Sequence, residues 1–203
     1  MKDRRAGLRE MTREAVRAQI TEVANALFVE QGYEQTTIDD IAATAGISQR
    51  SVFRYFPTKE DLVVGKFDLV AEGMITVLHD RPIDEPVWDS LRRCFDLLVP
   101  YVDAPGKREV AEPMQRIVFD TPHLFARYLE KLQRMQDAVV TALRERAAAT
   151  GRAYADDDPA PRALTAAAFG CLVAAQHSWL ASNGYGSFAA AIDRAMSTVG
   201  PRS

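Results

Sequence analysis

Three helix-start signals crowd one short stretch of this chain and leave room there for little except short helices. Thr37, Ser48 and Thr58 each stand where a side-chain oxygen can cap a helix, and Asp40 and Asp61 follow the first and last of them at the third helical position. Gly46 and Pro57 separate the three segments, glycine by turning the chain and proline by removing a backbone donor. The stretch "TTIDDIAATAGISQRSVFRYFPTKEDL" is therefore read as two short helices about a glycine turn, followed by a third opening at Thr58. Ile38, Ile41, Ala42 and Ala45 form the inner face of the first, and Val52, Phe53 and Phe56 point the second toward a core. Gln49, Arg50, Ser51 and Arg54 are left for another face.

The rest of the chain keeps the same period. Thr12 is placed to cap a first helix carrying Val16, Ile20, Val23, Ala24, Leu27 and Phe28, which Gly32 ends. The helix opened at Thr58 runs on through Leu62, Val63, Phe67, Val70, Met74 and Val77 to His79. Val87, Leu91, Cys94, Phe95 and Leu98 make another stripe, and Pro113 is expected to kink or shorten the segment after Gly106. Thr121 and Pro122 open a long helix with Phe125, Leu129, Leu132, Gln136, Val139 and Leu143 on one face, closing near Gly151. Residues 163–181 are almost wholly apolar or small, a buried helix read as too short for a membrane, and Phe188, Ile192, Ala195, Met196 and Val199 mark the last helix. No strand-like alternation and no repeat accompanies them. The expected fold is all-α, with about nine helices.

Composition bounds the partners. The 203 residues carry a net charge of -3, so any contact with nucleic acid has to come from a local patch and not from bulk charge. That patch is present: no acid lies between Asp40 and Glu60, a stretch holding Arg50, Arg54 and Lys59. The charged start leads into no signal-peptide core, and no apolar run is read as bilayer-spanning, which gives a cytoplasmic expectation. Cys94 and Cys171 form no Cys-x-x-Cys pair and are expected as buried thiols. Asp156, Asp157 and Asp158 precede a helix, where its dipole favours acids, so no metal is inferred. His79, His123 and His177 show no ligand or triad spacing. No cofactor and no catalysis is expected. Two rival readings are an all-α enzyme using the acidic loop with His123 or His177, and a protein-interaction module built on the three-helix unit.

Two short helices joined by a glycine turn behind a longer one are the outline of a helix-turn-helix, whose second helix has the width of a major groove. Gln49, Arg50, Ser51 and Arg54 suit base edges. Thr36, Thr37, Tyr55 and Lys59 suit phosphates, Lys59 together with the helix start at Thr58. Lys2, Arg4, Arg5 and Arg9 offer a basic arm.

The threonine pair, Ile-Ala, Ala-Gly-Ile-Ser, the aromatic-x-Tyr-Phe run and Lys-Glu-x-Leu resemble the DNA-binding unit of the tetracycline-repressor (TetR) family, and "VFRYFPTKED" is similar to its actinobacterial "FFRYFP" members. The resemblance spans roughly residues 12 to 66. It implies a recognition helix over 48–56, starting at Ser48, and phosphate contacts at Thr37, Tyr55 and Lys59. Phe53, which stands where many members carry tyrosine, is counted among the DNA-contact positions with its ring expected to pack, and Asp39 stands where arginine is common. The resemblance further implies a DNA-binding domain over residues 1–57, and an effector-binding and dimerisation domain over 58–203. The protein would act as a homodimeric, ligand-responsive repressor on a near-palindromic operator, joined through its last two helices. A largely apolar effector would lie among Phe67, Met74, Phe95, Met114, Phe119, Phe125, Phe169 and Trp179, with His123, Gln176 and His177 as polar anchors. Its binding would move the recognition helices through the helix that starts at Thr58.

Overall fold

The computed structural model describes residues 2–200, with side chains from Met11 onward, so the side chains of the proposed basic arm, Lys2, Arg4, Arg5 and Arg9, lie outside the described part. Every described element is helical, and the chain divides into two compact units, residues 1–66 and 67–203.

In the first unit, α1 (Lys2–Gln31) begins ten residues before the expected cap, so Thr12 sits inside a helix. Its early turns are mostly charged, with Leu8 and Met11 as the large apolar residues. α2 (Ile38–Ala45) has the full capping box: Thr37 Oγ1 accepts from Asp40 N at 3.1 Å, and the Asp40 carboxylate accepts from Thr37 N at 2.8 Å. The Thr37 hydroxyl, which also donates to this carboxylate, and the Thr37 N–H together hold the Asp40 carboxyl below its usual range. Gly46 then adopts φ 69, the left-handed turn that a side chain would strain. α3 (Gln49–Tyr55) starts at Ser48, whose hydroxyl accepts from Ser51 N at 3.2 Å, and α4 (Lys59–Val64) starts at Thr58, capped in the same way through Asp61 N. Ile20, Ala24, Phe28, Ile41, Val52, Phe56 and Leu62 are the core, none more than 2% exposed. At about 1.5–3 kcal/mol for each large side chain, this wedge supplies the unit's stability. The expected continuous helix from Thr58 is divided at Gly65, which caps α4 before α5 (Lys66–Asp80) begins.

In the second unit, α5 is followed by α6 (Val87–Cys94), a 3-10 turn (Phe95–Leu97), α7 (Pro100–Asp103), α8 (Arg108–Asp120), α9 (Pro122–Ala149), α10 (Ala160–Ala181) and α11 (Phe188–Val199). Pro113 lies within α8, which continues past it to Asp120, so the proline does not end the helix; its missing N–H removes a single ladder bond. Of the expected α9 stripe, Leu132, Val139 and Leu143 are buried while Leu129 is exposed; the buried side is wider, taking in Leu124, Tyr128, Lys131, Met135, Val140, Ala142 and Arg146. Lys131 is buried because the Asp68 carboxylate of α5 receives its ammonium at 2.6 and 2.7 Å. α10 is, by length and composition, long and apolar enough to cross a membrane, which corrects the expectation of a shorter run; half of that window is buried, chiefly against α11 and α9. α11 is fixed from outside itself. Asp103 accepts from Phe188 N, Ala189 N and the Ser187 hydroxyl at 2.9–3.2 Å, and although burial pushes this carboxyl up, those bonds and Arg108 hold it below its usual range.

Candidate nucleic-acid interface and effector site

Because Val52 and Phe56 are buried, the opposite side of α3 faces outward, and it carries Gln49, Arg50, Phe53 and Arg54. Phe53 is 44% exposed, so its expected core placement is corrected: residues 52 and 53 are 100° apart on a helix, and only the first turns inward. Ser48 and Ser51 lie at the helix start with their hydroxyls 2.9 Å apart. The Arg54 guanidinium lies over the half-exposed Tyr55 ring at 5.1 Å from its centroid and donates to Tyr55 Oη at 3.4 Å. The outward face thus combines an amide, two guanidiniums, an apolar ring and a phenol, the donors and apolar surface that read base edges and rim phosphates.

The flanking phosphate candidates differ from expectation. Thr36 is 1% exposed and its hydroxyl donates to Gly32 O at 2.8 Å, so it pins the α1–α2 turn and does not face outward. Thr37 is exposed, but its hydroxyl donates to Asp40 at 2.6 Å. Lys59 turns toward the turn before α2: its ammonium donates to Tyr33 O and lies 4.1 Å from the Tyr33 ring centroid. Burial there pushes the lysine below its usual range, opposed by Glu34 and Glu60. Tyr33, missed by sequence reasoning, is thus a structural partner of Lys59.

The proposed effector liners separate into three groups. Phe95 and Phe169 meet edge to face at 5.4 Å and, with Met74, are closed into the core. Trp179 packs on Phe188 at 6.2 Å, and Met114 is buried on α8. The remaining aromatics gather around Tyr128, a residue sequence reasoning passed over: Phe67, Phe119 and Phe125 lie 5.2, 5.9 and 6.3 Å from its ring. Its hydroxyl donates to Gln176 Oε1 at 2.5 Å, and His177 stands edge-on to Phe119 at 4.6 Å. Burial pushes the Tyr128 hydroxyl pKa up, so it stays a neutral donor. His123 is exposed at the start of α9. Gln115 Nε2 and Trp179 Nε1 are buried donors with no protein acceptor. Among the described residues, no group of His, Cys, Asp and Glu has a metal-binding arrangement, and both cysteines are buried, Cys94 with its thiol pushed up to about 12 chiefly by burial.

Comparison with known proteins decides the family. Residues 20–64 match the profile described as bacterial regulatory proteins, tetR family, and residues 85–202, more than half the chain, match the profile described as the MftR C-terminal domain. The chain belongs to the TetR family. This TetR-family regulator is 30% identical over 165 residues to the HTH-type transcriptional regulator TcmR of Streptomyces glaucescens, an alignment covering 79% of this chain and 71% of that protein. It is 40% identical over 84 residues to the HTH-type transcriptional repressor Rv3405c of Mycobacterium tuberculosis, covering 41% of this chain and 43% of that one. Its fold is that of the transcriptional regulator FadR from Bacillus subtilis, solved in complex with stearoyl-CoA, at 17% identity and a TM-score of 0.58, covering 89% of this chain and 95% of that one. The TetR-family chain is a DNA-binding transcriptional regulator and not an enzyme, so the catalytic rival falls, and so does the protein-interaction module.

Proposed function

We propose that this regulator represses transcription in the cytoplasm as a homodimer, reading a near-palindromic operator through α3. The observation that carries the reading is the outward face of Gln49, Arg50, Phe53 and Arg54 on a helix fixed by the Ser48 cap, the Gly46 turn and the buried Val52 and Phe56. Gln49 and Arg50 are assigned to base edges, Ser48, Ser51, Arg54 and Tyr55 to the groove rim. Lys59 is assigned to a phosphate through the ammonium protons not used by Tyr33, and Thr37 to the backbone beside it. We draw the functional boundary at 57/58, so that the helix from Lys59 onward belongs to the responsive part. The test is selection of genomic fragments, followed by mobility shift of the enriched site with wild type and Arg50→Ala. Arg50→Ala is expected to cost about 1–3 kcal/mol and to relax preference at one position of each half-site. Failure of the wild type to enrich any sequence would sink the operator reading.

Phe53 gives a second expected result. An exposed ring on this face has apolar contact with a thymine methyl as its base-reading chemistry. Replacing thymine by uracil at the contacted position should weaken wild-type binding and leave Phe53→Ala unaffected. Equal loss in both proteins would place the ring elsewhere.

Each protomer binds weakly alone, since one recognition helix reads one half-site, and pairing two copies sets half-site spacing near one helical turn. The pairing surface proposed is the open side of α10, where Ala163, Ala166, Gly170, Ala174 and Ala181 are exposed along one face, with α11 beside it. The effector proposed is largely apolar with an acceptor group. Tyr128 with Phe67, Phe119 and Phe125 would receive its apolar part, and Gln115 and Trp179 hold unused donors. Support comes from the acyl-CoA complex of the FadR that shares the fold.

A further inference from the structure

Arg17 belongs to α1, outside both the recognition helix and the proposed phosphate contacts, yet it ties two helix ends together. Its Nη1 donates to Tyr55 O, the last residue of α3, at 3.4 Å; its Nη2 donates to Gly65 O, the cap residue of α4, at 3.5 Å. Between those bonds its guanidinium lies 4.6 Å from the centroid of the buried Phe56 ring, the residue that caps α3. Carbonyls at helix C-termini lack partners within the helix and carry its negative end, so one cation answers two such ends. Only a planar fork reaches both while stacking on a ring; an ammonium has neither the breadth nor the face.

We infer that Arg17 is a positioning residue for base reading, which fixes the C-terminal end of the recognition helix to the end of α4. The bonds constrain α3 at the end opposite its Ser48 cap. With both ends held, Gln49, Arg50 and Phe53 keep a fixed pose relative to Gly65, beside the end of the first compact unit at Lys66. Arg17 is half-buried and acts through protein carbonyls, so its effect falls on discrimination between sequences and not on general attraction to DNA.

This inference rests on the operator reading above, and its test begins with the operator that wild type selects. Affinities of wild type, Arg17→Lys, Arg17→Ala, Phe56→Leu and the Arg17→Lys/Phe56→Leu double variant for that operator and for an unrelated fragment are measured by fluorescence anisotropy across salt, with thermal unfolding of each variant. Arg17→Lys keeps the charge and stem, and is expected to bind the operator about tenfold more weakly while the unrelated fragment and the salt slope stay unchanged. Phe56→Leu keeps an apolar side chain and removes the ring, so it should give a smaller loss of the same kind, non-additive with Arg17→Lys. Equal losses on both fragments with a slope change in Arg17→Ala of about one would make Arg17 a phosphate contact and overturn the inference. Unchanged discrimination in folded Arg17→Lys and Phe56→Leu would also overturn it. A wild type that selects no operator removes the reading beneath it, an outcome seen before any variant is made.

Discussion

Gly170→Arg should turn the protein into a folded monomer that binds operator DNA on the order of 1000-fold more weakly, close to its affinity for unrelated sequence. A Cβ at Gly170 meets nothing within 4 Å in the protomer, so a side chain can leave the helix there without clash at its root, and the substitution replaces a poor helix former by a good one. What it does change is the open face of α10. Ala163, Ala166, Ala174 and Ala181 share that face, and small side chains there allow a second helix to approach closely. An arginine brings volume and a like charge from both copies to that approach. Sedimentation velocity would report the mass, and mobility shift the affinity. Retention of a dimer with full operator binding would show that the copies pair through another surface, while a monomer with full operator binding would remove the need for pairing. The unfolding midpoint offers a third reading: in wild type it should rise with protein concentration, because association stabilises only the folded chain, and in the variant it should not.

How far the sequence revealed this architecture depended on how local each cause was. The caps at Thr37, Ser48 and Thr58 and the turn at Gly46 are set by residues within one helical turn, and the structure has them where they were read. The start of α1 was invisible because its first turns are mostly charged, and Ala6, Leu8 and Met11 form no apolar stripe continuous with Val16 and Ile20. The division at Gly65 was hidden because the apolar stripes of α4 and α5 are in phase across it. Phe53 was placed inward on its chemistry, although Val52 beside it already took that direction and a seven-residue helix has only one inner face. Thr36 was placed outward on its polarity, although Gly32 O was there to accept its proton. In α9 the expected Leu132, Val139 and Leu143 do face inward, but the rest of its buried side was not legible, for a longer-range reason. Lys131 and Arg146 occupy core positions, which only Asp68, Ser90 and Pro82, far along the chain, make tolerable, and without those partners Tyr128 drops out of the buried stripe. The base-reading face was therefore legible in outline, whereas the Tyr128 centre of the candidate effector site was not.

The second large effect follows from that buried arginine. Arg146 is 8% exposed; its guanidinium donates to Ser90 Oγ at 2.8 Å and to Pro82 O, joining α9 to α6 and to the loop before it. Ser90, wholly buried, donates in turn to Glu85 at 2.7 Å, and Arg81 grips the same carboxylate. Arg146→Met keeps most of the apolar stem but removes the donor to the buried Ser90 hydroxyl, while the exposed Pro82 carbonyl keeps its bond from Glu85 N. At about 1–3 kcal/mol for a buried polar group that loses its partner, the expected loss is about 1–3 kcal/mol in urea unfolding. A loss under about 0.5 kcal/mol would mean that water replaces the guanidinium without cost. The network also sets the acid response. The Arg81 hydrogen bond, foremost, and those of its neighbours hold Glu85 at about 2 against an ordinary 4.5. A carboxylate with a depressed folded pKa favours the folded state above its unfolded value and ceases to do so as pH falls through the folded one. Stability contributed by Glu85 is therefore full above about pH 4.5 and disappears toward about pH 2. Glu85→Gln should accordingly be less stable than wild type at pH 7 and should converge with it on acidification. A constant difference between the two proteins from pH 7 to pH 2 would show that the carboxylate's charge does not carry the stabilisation.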